Sequence, residues 1–179
     1  MNPSVATLVA AILLSACSMS PMTMAPRVDN AALPEAVRVP SGQTLRMVAT
    51  GVGEITYECR EKAAAAGQYE WAFVGPVATL YSADKRNVGK YYAGPTWEAS
   101  DGSKVTGKQL AVSPSAPGTI PMQLVKTDPA MGSGAMAGVT YIQRLNTKGG
   151  VAPGAACDAA SKGRRQQVVY EADYAFYGA

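Results

Sequence analysis

The C-terminal stretch QQVVYEADYAFYG, residues 166–178, narrows the choice of fold more than any other part of the chain. Val168, Tyr170, Ala172, Tyr174 and Phe176 share one parity, and Glu171 and Asp173 share the other. Side chains of a strand alternate between faces, so this period-two pattern predicts a long strand with one buried and one wetted side. EITYEC repeats the pattern, with Ile55, Tyr57 and Cys59 set against Glu54, Thr56 and Glu58. YEWAFVG and VATLYSA read as two short strands broken at Gly75-Pro76, and TIPMQLVKT and GVTYIQRLNT add more. Only CREKAAAAG and CDAASKG read as helical, and both are short. Many short strands between Gly- and Pro-rich turns predict an all-β fold: an antiparallel β-sandwich or partly open barrel with one or two short helices. No long helix alternates with the strands, which excludes a parallel α/β architecture.

The stretch GPTWEASDGSKVTG, residues 94–107, admits two hairpin registers. A two-residue Asp101-Gly102 loop sets Trp97 opposite Thr106. A three-residue loop, Ser100-Asp101-Gly102, puts Gly102 where a left-handed residue is needed. That register pairs Trp97 with Val105, Glu98 with Lys104 and Thr96 with Thr106, so Trp97, Ala99 and Val105 form an apolar face. It alone satisfies the binary pattern, and it makes Trp97 a packing residue and Glu98 an ion-paired surface residue. The competing chemical reading needs two carboxylates converging on a bond. Glu98 with Asp101, or Glu98 with Glu58, would be the acid/base pair of a carboxylate-dependent hydrolase acting on envelope carbohydrate, with Tyr92 and Trp97 as a sugar-stacking platform. Carboxylates are common on hairpins and no spacing rule singles these out, so the packing reading is preferred and no catalytic residue is assigned.

The N-terminus speaks to address. Val5 to Leu14 is an apolar run of signal-peptide length, too short to span a bilayer. It ends in Leu14-Ser15-Ala16-Cys17, which resembles the lipobox of bacterial lipoproteins and marks Cys17 for lipidation. Residues 1–16 are then the signal peptide, 17–35 a flexible tether, and 36–179 one β domain. Neither Lys nor Arg precedes the apolar run. Ser18, in the place where Asp would retain a lipoprotein at the inner membrane, implies an outer-membrane lipoprotein facing the periplasm. Met19, Met22 and Met24 lie in the tether. Thioethers can bind Cu(I), but linker composition accounts for them.

Export leaves Cys59 and Cys157 in an oxidising compartment, where they most simply form one disulfide. The chain of 179 residues contains no histidine, which removes the commonest general base and every imidazole metal site. A net charge of +3, with no basic stripe, gives no reason to expect nucleic acid as a partner. No metal or cofactor is expected either.

GEITYEC, YEWAFVGPVATLY, GKYYAGPTWEASDGSKVTG, GVTYIQRLNTKGGVAPGAAC and VVYEADYAFYG together resemble the DUF3455 family of exported proteins without known function. The resemblance runs from about Ala36 to Gly178 and includes both remaining cysteines. Family members often carry a histidine shortly before the GPTW motif. This chain has Lys90, Tyr91 and Tyr92 there, so no histidine-dependent role carries over. The resemblance implies an exported domain and no particular reaction. Two expectations remain: a lipid-anchored envelope protein whose β domain binds a glycan, lipid or protein ligand or acts structurally, and the hydrolase described above.

Overall fold

The computed structural model describes residues 27–179. Cys17, the stretch 1–16 expected to be a signal peptide, and Met19, Met22 and Met24 lie outside the described residues. Eight strands follow in chain order: β1 Thr44–Lys62, β2 Ala65–Tyr81, β3 Asn87–Tyr92, β4 Thr96–Ala99, β5 Lys104–Ser113, β6 Met122–Thr127, β7 Val139–Gly149 and β8 Arg165–Gly178. Each pairs antiparallel with the next, and β8 returns to β1, so the sheet closes into a barrel. The chain is therefore all-β, and of the two expected architectures it adopts the barrel, fully closed. Closure removes the unpaired edges that a sandwich leaves.

The alternation read from the sequence decides which side chains enter the barrel. Tyr170, Ala172, Tyr174 and Phe176 of β8 are buried inside, as are Ile55 and Tyr57 of β1. Curvature comes from residues that place no side chain inward. A β-carbon on Gly53 would lie 2.0 Å from the Val77 carbonyl oxygen, so β1 can press against β2 there only as glycine.

Two local expectations fail. The alanines of CREKAAAAG were expected to be helical, but β1 and β2 run through them as a long hairpin that turns at Ala63-Ala64. Cross-strand partners such as Cys59 with Trp71 and Glu61 with Tyr69 override alanine's helical preference. The break expected at Gly75-Pro76 is also absent. β2 continues through Pro76, which pairs with Ile55, and an irregularity between Thr56 and Tyr57 absorbs the mismatch. CDAASKG does form a short helix, a single 3-10 turn at Ala159–Ser161 closed by an Asp158–Ser161 capping box.

A second, smaller core lies outside the barrel wall. The chain from Asp29 to Val39, assigned mostly to the tether from sequence, makes two 3-10 turns and lays Val37 and Val39 on Leu124, Leu145, Ala175 and Tyr177. Asn30 fastens it: its amide exchanges two hydrogen bonds of 2.9 Å with the Val39 backbone and accepts a third from Gln143. This strap explains why Ala175 and Tyr177, on the face of β8 expected to be wet, are buried.

The barrel mouth as candidate functional site

One end of the barrel is stoppered. The β4–β5 hairpin has the three-residue loop, with Trp97 opposite Val105, Glu98 opposite Lys104, and Gly102 at φ 84°. Trp97 is 0% exposed inside the barrel, stacked on Tyr91 at 4.7 Å and edge-on to Tyr174 at 5.8 Å. Asp101, at the loop tip, accepts hydrogen bonds from the Ser103 hydroxyl at 2.6 Å and from the backbone N–H groups of Ser103 and Ala135. Ser103 Oγ in turn accepts from the backbone N–H of Met136, a buried side chain at this end. Asp101 thereby staples the β6–β7 loop across the barrel's end.

The three carboxylates singled out from sequence are held apart. Glu58 lies on β1, bound by Arg60 and Arg165, each at 2.8 Å. Glu98 lies on the outer face of β4. It accepts from the Tyr92 hydroxyl at 2.8 Å and pairs with Lys90 of β3 at 3.2 Å, where Lys104 of β5 had been expected. No described cavity is lined by two of the three. All three carboxyls are also pulled below their ordinary range. Glu58 is held at about 2, first by Arg60 and then by Arg165. Glu98 is lowered chiefly by the Tyr92 hydrogen bond, and Asp101 chiefly by Ser103. A general acid needs the opposite shift. Tyr92 is engaged with Glu98 on the outer wall, and Trp97 presents no face to solvent, so the two do not form a shared platform.

The other end is open. There β1 and β2 overhang the barrel, the β3–β4 turn bends at Gly94-Pro95, and a cavity of about 390 Å³ opens between them. Its walls are chemically distinct. Tyr57, Phe73, Pro76, Tyr91 and Pro95, from β1 to the β3–β4 turn, make an apolar side. Gln109, Gln123 and Arg144, from β5, β6 and β7, make a polar side. Phe73 stands at the rim, 58% exposed and edge-on to Tyr57 at 6.1 Å. Tyr57 is fixed by its hydroxyl, which donates to the Gly150 carbonyl at 2.7 Å. Tyr91 is 5% exposed, and its hydroxyl has no hydrogen-bond partner among the described residues. Burial raises the Tyr57 and Tyr91 hydroxyl pKa values, and the nearby Arg144 charge works against that rise.

The disulfide buttresses this mouth. Cys59 and Cys157 are bonded, with Cα atoms 5.5 Å apart. The loop between β7 and β8 is further tied to the overhanging hairpin by Cys59 N–H to Arg164 O at 2.9 Å and by the Trp71 indole N–H to Ala155 O at 2.8 Å. Tyr57 lies two residues from this anchor.

Sequence reasoning passed over Arg144 and Phe73. Arg144 shares the parity of buried Ile142 in YIQRL, and an arginine in phase with a core residue was the available signal. Two other concavities lie on the outer wall. A groove of about 920 Å³ exposes Val52, Val77 and Val169 beside the closed Lys148–Glu171 pair, and a hollow of about 450 Å³ adjoins Glu98. Both are more open to solvent than the mouth.

These features define a small, closed, antiparallel β-barrel with one end stapled and the other open. Residues 40–178 match the family model for the protein of unknown function DUF3455, and the chain belongs to that family. No curated protein and no solved structure matches it.

Proposed function

We propose that this is an exported, lipid-anchored cell-envelope protein whose barrel is a binding module, with the ligand seated in the open mouth. The observation that carries the reading is the open mouth itself, a cavity with one apolar and one polar wall in which the Tyr91 hydroxyl has no protein partner among the described residues. A concave, largely apolar and aromatic site with a few converging polar groups is the usual form of a ligand pocket. The mouth's volume falls in the ordinary range for small-molecule sites. The anchor rests on the Leu14-Ser15-Ala16-Cys17 box after an apolar run, and the outer-membrane, periplasm-facing address on Ser18.

The test of binding is a small-molecule fragment screen by NMR on the full chain in phospholipid nanodiscs, with saturation transfer mapped by residue. Hits mapping to Tyr57, Phe73 and Tyr91 support the reading. No hits, or hits confined to the outer wall, overturn it. The anchor is tested by Cys17→Ala, which should move the protein out of the membrane fraction and leave it without lipid mass. An unchanged fraction and mass would refute lipidation.

A further inference from the structure

We infer that the mouth takes a small organic carboxylate, with its apolar body on the aromatic wall and its charged end on Arg144. The inference rests on the reading of the mouth as a ligand site and specifies its chemistry.

Among the described residues Arg144 is the only charged one lining the cavity, and no carboxylate joins it there. It sits on β7 opposite Gln123 of β6 and Tyr174 of β8, and Tyr174 is a barrel-interior residue, so strand parity points Arg144 inward. Nε and Nη2 both donate to the Pro121 carbonyl, at 3.1 and 3.0 Å, which fixes the plane of the guanidinium. A guanidinium carries five N–H donors. The remaining three meet no protein acceptor, and Arg144 makes no ion pair, among the described residues.

Positive charge at the rim of a low-dielectric interior favours an anion, and the planar fork of a guanidinium matches the two oxygens of a carboxylate. One arginine with no lysine beside it suits a single negative charge better than a phosphate dianion. Gln123 donates to Gln109, which leaves the second amide of that pair able to donate into the cavity. Opposite stand Tyr57, Phe73 and Pro95, flat apolar surfaces with no charge, and between the two walls the Tyr91 hydroxyl is available to donate. A ligand that satisfies both walls is therefore amphipathic, with a carboxylate at one end and a ring or short apolar chain at the other.

The probes are 2-naphthoate and its neutral, near-isosteric amide, 2-naphthamide, titrated by calorimetry into the full chain in nanodiscs, with empty nanodiscs as blank. The naphthoate should bind about tenfold or more tightly than the amide, as expected for one charge-assisted bidentate contact. Arg144→Gln should remove that preference and leave the amide's affinity within about twofold. Tyr91→Phe should weaken the naphthoate several-fold with little change in melting temperature. Equal binding of the two probes to the wild type overturns the carboxylate assignment while the mouth still binds. Binding of neither probe overturns the carboxylate assignment, and the mouth falls with it if the fragment screen is also empty. If Arg144→Gln fails to fold once its hold on Pro121 is lost, Arg144→Lys decides. It keeps the charge without the fork, and an undiminished preference for naphthoate over the amide would refute the bidentate contact.

Discussion

The two ends of this barrel are built from the same strands and solve opposite problems. At the β4–β5 end the loop's polar groups are paired with one another, the indole N–H of Trp97 excepted: Asp101 takes three hydrogen bonds, Ser103 relays to Met136, and the Trp97 ring fills the space behind them. At the β3–β4 end Phe73 is left exposed, Tyr91 keeps an unpartnered hydroxyl, and Arg144 spends only part of its donor set. A barrel of eight strands encloses just enough room for its own side chains or for one small ligand. Here the division falls along the barrel axis, with side chains filling one half and an opening left in the other. Stability should therefore respond mainly to the stapled end and binding mainly to the mouth.

The sharpest test of that separation is Trp97→Ala. Removing a fully buried ring that touches Tyr91 and Tyr174 should cost about 3–5 kcal/mol. Thermal or denaturant unfolding measures it. A loss well under that range would mean the interior is looser than its packing indicates. Trp97→Phe should cost much less, because it keeps a ring and removes an indole N–H that is buried without an acceptor among the described residues.

Next in size is the disulfide. With a sequence separation of 98 residues, its loss should destabilise by about 2–5 kcal/mol, toward the upper part of that range in the chain-entropy account. Cys59 lies two residues from Tyr57 on the overhanging hairpin, so Cys59→Ala with Cys157→Ala should also weaken ligand binding at temperatures where the barrel remains folded. Unaltered affinity in the folded double variant would show that the overhanging hairpin is rigid without its cross-link.

The two ends also differ in how far the sequence revealed them. The stapled end was legible: alternation fixed which side chains point inward, and Ser100-Asp101-Gly102 was the only loop compatible with that alternation, which placed Trp97 against Val105. Such turns are decided by local chemistry. The mouth was not legible, because its residues converge from β1, β2, β3, β5, β6 and β7 and nothing local records their meeting. Closure into a barrel was likewise hidden, since it depends on β8 finding β1 across the whole chain. The failed helix at the alanines and the failed break at Gly75-Pro76 have one cause. Both segments belong to the long β1–β2 hairpin, where pairing and the disulfide overrule residue preference. The sequence did carry a trace of Arg144, in phase with Ile142, but an inward arginine has meaning only once the barrel axis and its open end are known.

Phe73→Ala should reverse the pattern set by Trp97. An exposed side chain away from the core changes stability by about 0.5 kcal/mol or less, so its melting curve should nearly overlay the wild type. Its affinity for an apolar ligand should fall, because the rim loses its largest flat surface. A Phe73→Ala protein that melts several degrees lower while binding unchanged would make Phe73 a structural residue and shrink the proposed site to Tyr57 and Tyr91.

The smallest effect expected is electrostatic, and it separates the two ends by pH. Glu58, on the hairpin that overhangs the mouth, has its carboxyl lowered from an ordinary 4.5 to about 2 by Arg60 and Arg165. A carboxyl whose folded pKa lies below its unfolded value stabilises the fold above the unfolded value and loses that contribution as pH falls through the folded one. Stability from this group should therefore be full above about pH 5 and decline from there to about pH 2. Asp101 is shifted in the same direction at the stapled end, through neutral donors, Ser103 first and then the Ala135 N–H. The two contributions differ in their response to salt. Ion pairs at the surface are screened, whereas hydrogen bonds from hydroxyl and amide donors are much less so. Melting temperature followed from pH 7 to pH 2 at low and high ionic strength should show an acid limb that Glu58→Gln flattens mainly at low salt and Asp101→Asn flattens at both. If Glu58→Gln leaves the low-salt limb untouched, the arginine pairs on the hairpin contribute nothing measurable, and the mouth's outer wall is held by its backbone pairing and disulfide alone.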